Sequence, residues 1–269
     1  MRPDPQKSPS LAITVLVSVG CHPLTGRGRR ADQDARGVEL ARALPLAEVR
    51  LLHAGVLDAG SDAALRGYLG MGFDALTLIE QPESSDVVPA LAEVLADHPP
   101  TLVIAGTRAE RGEASGLLPY LLAERLGWPL VAAVAEVEGV EGGVATLLQA
   151  LPRGQRRRLQ VRLPAILTVD SAAPAPRQSA FGPARRGQLA VHEVGEAVPD
   201  AELVEWVEQP ARKRPKRLKI VKAASARDRF KAAAAKAEGG SGQVLDGVTP
   251  EQGAEAILKL LKEEGVLRR

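Results

Sequence analysis

The sequence predicts an α/β fold: an open, mostly parallel, doubly wound sheet, then a strand meander, then an extended C-terminal arm ending in a helix. Three observations predict it. Strand-like and helix-like segments alternate four times between Leu11 and Gly127 with short connections, as parallel strands with right-handed crossover helices do. After Trp128, strand-like segments follow one another with no clear helix between them. The chain then closes on a segment with a strong helix-start signal.

The elements follow in order. "LAITVLVSVG" (11–20) is a near-continuous apolar run rich in β-branched residues, as in a strand buried on both faces. "ADQDARGVELARAL" (31–44) puts Val38, Ala41 and Leu44 on one helical face. "EVRLLHAG" (48–55) is the second strand, and "DAALRGYLGMG" (62–72) a short helix closed by Gly70 or Gly72. "DALTLIE" (74–80) is the third strand, and "SSDVVPALAEVLADH" (84–98) a helix with serine and aspartate at its start. "TLVIAG" (101–106) is the fourth strand, leading through a polar loop into the helix that ends near Gly127.

In "LVAAVAEVEGV", "VATLLQAL", "RRLQVRL" and "AILTVD" the sequence reads as a meander with a hairpin turn at "EGVEGGV". A proline-containing, strand-poor stretch (171–187) precedes the strand-like "QLAVHEV". The expected organisation is a disordered N-terminus (1–10), an α/β body (11–200), a basic arm and linker (201–248) and a terminal helix (249–269). That helix has Thr249 as N-cap, Pro250 at its first position and Gln252 as the capping-box partner. Ala254, Ile257, Leu258 and Leu261 form one stripe, which needs a surface to cover it.

Composition narrows the function classes. Aromatic residues are only 3% of the chain and its net charge is +2, which offers neither a base-stacking platform nor a global pull on a polyanion. The basic run "RKRPKRLK" (212–219) reads as a solvated, partner-facing arm, and no nucleic-acid partner is expected. A single cysteine, Cys21, excludes an internal disulfide and a thiolate metal cage. The apolar run Leu11–Val19 is too short to span a bilayer and lacks a cleavage site, so the expected location is the cytoplasm, without stable membrane insertion. His22, His53, His98 and His192 have no metal-ligand spacing, and no nucleophile elbow or Walker loop occurs. The pair Cys21–His22 reads as a structural thiol beside a histidine, so no catalytic residue is assigned and the chain is read as a non-enzyme.

In open α/β sheets, ligands bind beyond the carboxyl ends of the strands, which points to the loops after Gly20, Gly55 and Gly106. "GTRAERGEASG" (106–116) has glycines at 106, 112 and 116 and small residues at 107, 109, 114 and 115, so backbone amides could approach a phosphate near a helix start. Arg108 and Arg111 could add charge-assisted hydrogen bonds. Glu110 and Glu113 oppose an anion, however, and the spacing fits no standard phosphate motif. A nucleotide cradle and a plain turn both remain open. A second candidate is "PRQSAFGPARR" (176–186), where Phe181, held between turns and followed by Arg185 and Arg186, has the look of a docking anchor or of a loop tucked into the domain.

These segments resemble the electron-transfer flavoprotein beta subunit family. The G-x-x-A-x-x-G-[DE] loop and the helix ending "LAERLGWP" are similar to the family's adenine-nucleotide loop, and "VLVSVG", "VRLLHAG" and "LPAILTVDSAAPAPRQSAFGPARR" are similar to its first strand, its second strand and its strand-plus-recognition-loop. The similarity runs from Ile13 to about Leu267, broken mainly near 222–242.

The resemblance implies an adenine-nucleotide alpha-hydrolase-like fold and an electron carrier. In such a carrier an alpha subunit holds most of a FAD, donor dehydrogenases supply electrons and a quinone oxidoreductase accepts them. It also implies AMP as a possible second cofactor. The implied contacts are Ser18, Arg30 with the following residues to Gln33, Ala54, Gly106, Thr107, Arg108, Ala109, Gly112, Glu113, Ala114, Ser115 and Gly116. Phe181, Arg185 and Arg186 take the family's dehydrogenase-docking role, with Phe181 where a leucine is usual. The chain departs from the family where Arg111–Ser115 replaces an Asp-Gly-Asp-Thr run, the following Gln is missing, and an Asn-Pro-Phe triplet is absent. The alternative is a stand-alone adenine-nucleotide-binding protein of similar build that transfers no electrons.

Overall fold

The computed structural model describes residues 11–207, 209, 225–227 and 245–263. The chain divides into two compact units, Met1–Trp206 and Val207–Arg269. The N-terminus (1–10), the basic run at 212–219 and most of the stretch near 222–242 lie outside the described residues.

The first unit holds a nine-stranded sheet. Its strands are β1 (Leu11–Leu16), β4 (Ala47–Gly55), β5 (Ala75–Glu80), β6 (Leu102–Gly106), β7 (Leu130–Glu141), β8 (Val144–Ala150), β9 (Arg156–Arg162), β10 (Ala165–Val169) and β11 (Gln188–Val191). They lie in the order β11-β5-β4-β1-β6-β10-β7-β8-β9. From β11 to β7 every neighbouring pair is parallel, and β7, β8 and β9 are antiparallel. The expected mostly parallel sheet is present. The stretch expected as a simple meander is divided: "AILTV" leaves the hairpins and inserts between β6 and β7 as β10, all five residues buried. A strand buried on both faces, with Thr168 as its one polar side chain, belongs at such an interior position.

The long apolar run at the start is also divided. β1 stops at Leu16, and Val19–Cys21 (β2) forms an antiparallel hairpin with Gly28–Arg30 (β3). Two helices cover one face, α1 (Asp32–Arg42) and α2 (Ala59–Leu69), and two more cover the other, α3 (Val87–Asp97) and α4 (Leu118–Leu126). Alternation along the strands separates the two cores: Ile13, Val15 and Val17 pack toward α1 and α2, while Leu16, Leu52, Ile79 and Val103 pack toward α3 and α4. Burying such side chains contributes about 1.5–3 kcal/mol each. The expected helical stripe Val38, Ala41 and Leu44 is buried. α2 begins three residues earlier than the sequence pattern suggests, because Asp58 and Ser61 form a capping box. Two short helices follow, α5 (Phe181–Arg186) and α6 (Ala201–Glu205).

In the second unit, α7 (Pro250–Glu263) starts as expected. The Thr249 amide donates to Gln252 Oε1 at 3.1 Å and the Gln252 amide to Thr249 Oγ1 at 3.4 Å.

The sheet order fixes a switch point. From β1 the chain first builds outward through β4 and β5, then returns to the other side of β1 with β6. The crevice between the carboxyl ends of β1 and β6 is therefore where this architecture places ligands. Beside it, β10 holds a bulge in β7: the buried Thr168 hydroxyl accepts from the amide of Ala133, whose φ is 56°, at 3.1 Å. Thr168→Val keeps the shape and orphans that amide. Chemical denaturation should show a loss of about 1–3 kcal/mol for this variant.

Candidate functional site

The carboxyl ends of β1 and β6 meet on one buried carboxylate. Asp34 stands in the first turn of α1 and is 5% exposed. Its Oδ2 accepts from the Ser18 amide at 2.7 Å and from the Ser18 hydroxyl, and its Oδ1 accepts from the Gly106 amide at 3.0 Å. Gly106 is required here, since a Cβ would stand 2.2 Å from Asp34 Oδ1. Burial pushes the Asp34 carboxyl up to about 6, against the three hydrogen bonds that favour its charged form.

The neighbouring residues tighten the same junction. The Thr107 amide donates to Gln33 Oε1 at 3.0 Å, and the Thr107 hydroxyl donates to the Val169 carbonyl at 2.9 Å. The fully buried Tyr68 hydroxyl donates to the Ser18 carbonyl and accepts from the Ala31 amide, both at 2.8 Å. Burial, then the Asp34 charge, holds the Tyr68 hydroxyl well above its ordinary value, so it remains a donor. These bonds pull Ser18 out of the β1 ladder and explain the break in the apolar run.

The loop after β6 folds back onto α1. Alanine at the N-cap of α1 provides no side-chain cap. Glu110 does so from the loop: its carboxylate accepts from the Asp32 amide at 2.9 Å, the Cys21 amide at 3.0 Å and Arg29 Nη2 at 2.9 Å. Left-handed backbone at Gly112 (φ 70°), Ala114 (φ 53°) and Gly116 (φ 80°) makes the return possible.

The structure brings together Ser18, Gly106 and Thr107, with Arg108, Ala109, Gly112, Glu113, Ala114, Ser115 and Gly116 on the loop beside them. Ser115 faces its own chain, accepting from the Leu117 amide at 3.2 Å. Ala54 lies near the end of β4 and is half-buried, next to His53, whose Nδ1 pairs with the Val17 carbonyl at 2.8 Å. Arg30 is engaged elsewhere: its Nη2 donates to the Arg177 carbonyl at 2.6 Å and its stem lies against Gly67 of α2. Phe181 opens α5 with 79% of its surface exposed, and Arg185 and Arg186 stand exposed on its last turn. A surface groove of about 440 Å³ between α3, α4 and Val194–Val198 contains none of these residues. Among the described residues no group of three or more His, Cys, Asp or Glu could hold a metal ion, and no helix is long and apolar enough to cross a membrane.

Comparison with known proteins decides the family. Residues 26–197 match the electron transfer flavoprotein domain model, more than half of the chain. The chain is 72% identical over 268 residues to the electron transfer flavoprotein subunit beta of Chromohalobacter salexigens, covering 100% of both. The chain belongs to the electron transfer flavoprotein family.

A provisionally named electron transfer flavoprotein subunit, YgcR of Escherichia coli, is 32% identical over 132 residues, 45% of this chain and 50% of its own length. The fold of this family member agrees with the sequence expectation, and its beta-subunit resemblance holds. Sequence reading missed Asp34 and Tyr68, took Gln33 only as one of the contact positions Arg30–Gln33, and saw Glu110 only as a charge. The one available signal was the start of α1, where alanine stands in place of a capping side chain.

The Asp34 carboxyl gives a pH dependence with a definite sign. Its folded value of about 6 lies above the ordinary 3.8, so the folded chain holds the proton more tightly than the unfolded chain. The stability this contributes is fully present below about pH 3.8 and is lost as pH rises to about 6. Urea unfolding between those limits should show that falling component in the wild type, and Asp34→Asn should remove it while lowering stability throughout. An unchanged slope in the variant would contradict this assignment.

Proposed function

We propose that this chain is the beta subunit of a heterodimeric electron-transfer flavoprotein. It pairs with an alpha subunit that holds most of a FAD, shapes one side of the flavin pocket and docks flavin dehydrogenases, whose electrons pass on to a quinone oxidoreductase in the respiratory chain. The full-length match to a beta subunit carries this reading. The flavin supplies the redox chemistry when bound, and this chain supplies orientation and recognition.

Two surface features support it. Phe181 is a large apolar side chain presented to solvent on a short helix, with the cations of Arg185 and Arg186 one turn away, as in a docking anchor with a charged rim. On α7, Ile257 is 62% exposed and Leu258 and Leu260 are also exposed, an apolar face that a partner subunit could cover. FAD fits this reading as a shared cofactor at the subunit interface. AMP fits less well at the β6 loop: Ser18, Gly106, Thr107 and Ser115, four of its expected contacts, already hydrogen-bond within the chain. The stand-alone nucleotide-binding reading loses support for the same reason.

Co-expression with an alpha subunit should give a yellow one-to-one complex. A colourless chain that never captures flavin would contradict the proposal. In that complex, Phe181→Ala should slow dehydrogenase-driven flavin reduction by about tenfold or more while flavin content stays unchanged. Equal rates in wild type and variant across several dehydrogenases would remove Phe181 from the docking role.

A further inference from the structure

We infer that this chain closes its own nucleotide cleft, with the Glu110 carboxylate seated where the phosphate of an adenine nucleotide would bind at the switch point. Phosphates in such folds are held by three kinds of donor: strand-end amides, the first amides of the following helix and a nearby cation. All three kinds occur here, and each is engaged by a side chain of the same molecule. Glu110 takes the Asp32 amide of the α1 start, the Cys21 amide of the hairpin and Arg29 Nη2. Asp34 takes the Gly106 amide and Gln33 takes the Thr107 amide.

Space and charge agree. A Cβ at Gly20 would lie 2.8 Å from Glu110 Oε2, so the carboxylate is packed against the hairpin backbone there. The Glu110 side chain is 26% exposed, and its Arg29 partner 38%. An incoming phosphate would meet Glu110, Asp32 and Asp34, while Arg36 is committed to Asp32 at 2.9 Å. The loop's two hydroxyls are turned to the chain itself, Thr107 to the Val169 carbonyl and Ser115 to the Leu117 amide. Glu110 thus caps α1 across 78 positions of sequence, and the loop is held by the chain itself without a nucleotide.

The cleft geometry alone carries this, so a chain that bound no flavin partner would leave it standing. The test uses the full chain, alone and with its partner subunit. Nucleotides are released from it by acid and identified by mass spectrometry. Its thermal midpoint is followed with added AMP, and amide exchange at Val19–Ala31 is compared in wild type, Glu110→Gln and Glu110→Ala. The wild type should release no AMP, and its midpoint should not move with AMP, since a ligand that binds the folded state must raise it. Exchange at Val19–Ala31 should quicken by about tenfold in Glu110→Ala and by less in Glu110→Gln, which keeps the shape and loses the charge. Stoichiometric AMP in the wild type, a midpoint that rises with AMP, or unaltered exchange in both variants would each overturn the inference.

Discussion

The hydrogen bonds of Asp34 hold the molecule's central junction together. One carboxylate, buried at the first turn of α1, accepts from Ser18 at the end of β1 and from Gly106 at the end of β6. Those two strands are neighbours in the sheet, and the chain reverses its direction of growth between them. A polar group so deeply buried is tolerated only because its partners satisfy it. The raised Asp34 carboxyl records what remains of that burial cost.

Around this junction the chain supplies its own acceptors. Gln33, Glu110 and the Tyr68 hydroxyl each take an amide that strand ends and helix starts leave open. In a binding protein of this architecture such amides are the usual reservoir for a ligand's phosphate. Here they tie the β2–β3 hairpin, α1 and the β6 loop into one unit. Exposed apolar side chains stand on other elements, Phe181 on α5 and Ile257 on α7.

Much of the fold was legible because burial leaves a periodic trace. Val38 and Ala41 announced the inner face of α1, with Leu44 buried just past its end, and the Thr249, Pro250 and Gln252 signal announced the start of α7. The errors arose where distant contacts override local pattern. "LAITVLVSVG" reads as one strand, but Tyr68 and Asp34, 50 and 16 positions away, draw Ser18 out of the ladder. "AILTV" follows hairpins in sequence and joins the parallel strands in space, a choice visible only in its lack of any polar face. The site was legible as residue types and not as pairings. Glu110 opposes an anion on paper, and only the fold shows that it is itself the anion at the α1 start.

Either Glu110 or a nucleotide phosphate occupies the start of α1. A crystal structure of the full chain, grown in excess AMP, decides between the two most directly. Glu110 should lie within hydrogen-bond distance of the Asp32 and Cys21 amides, with no nucleotide between them. A phosphate on those amides, with Glu110 swung out to solvent, would contradict it.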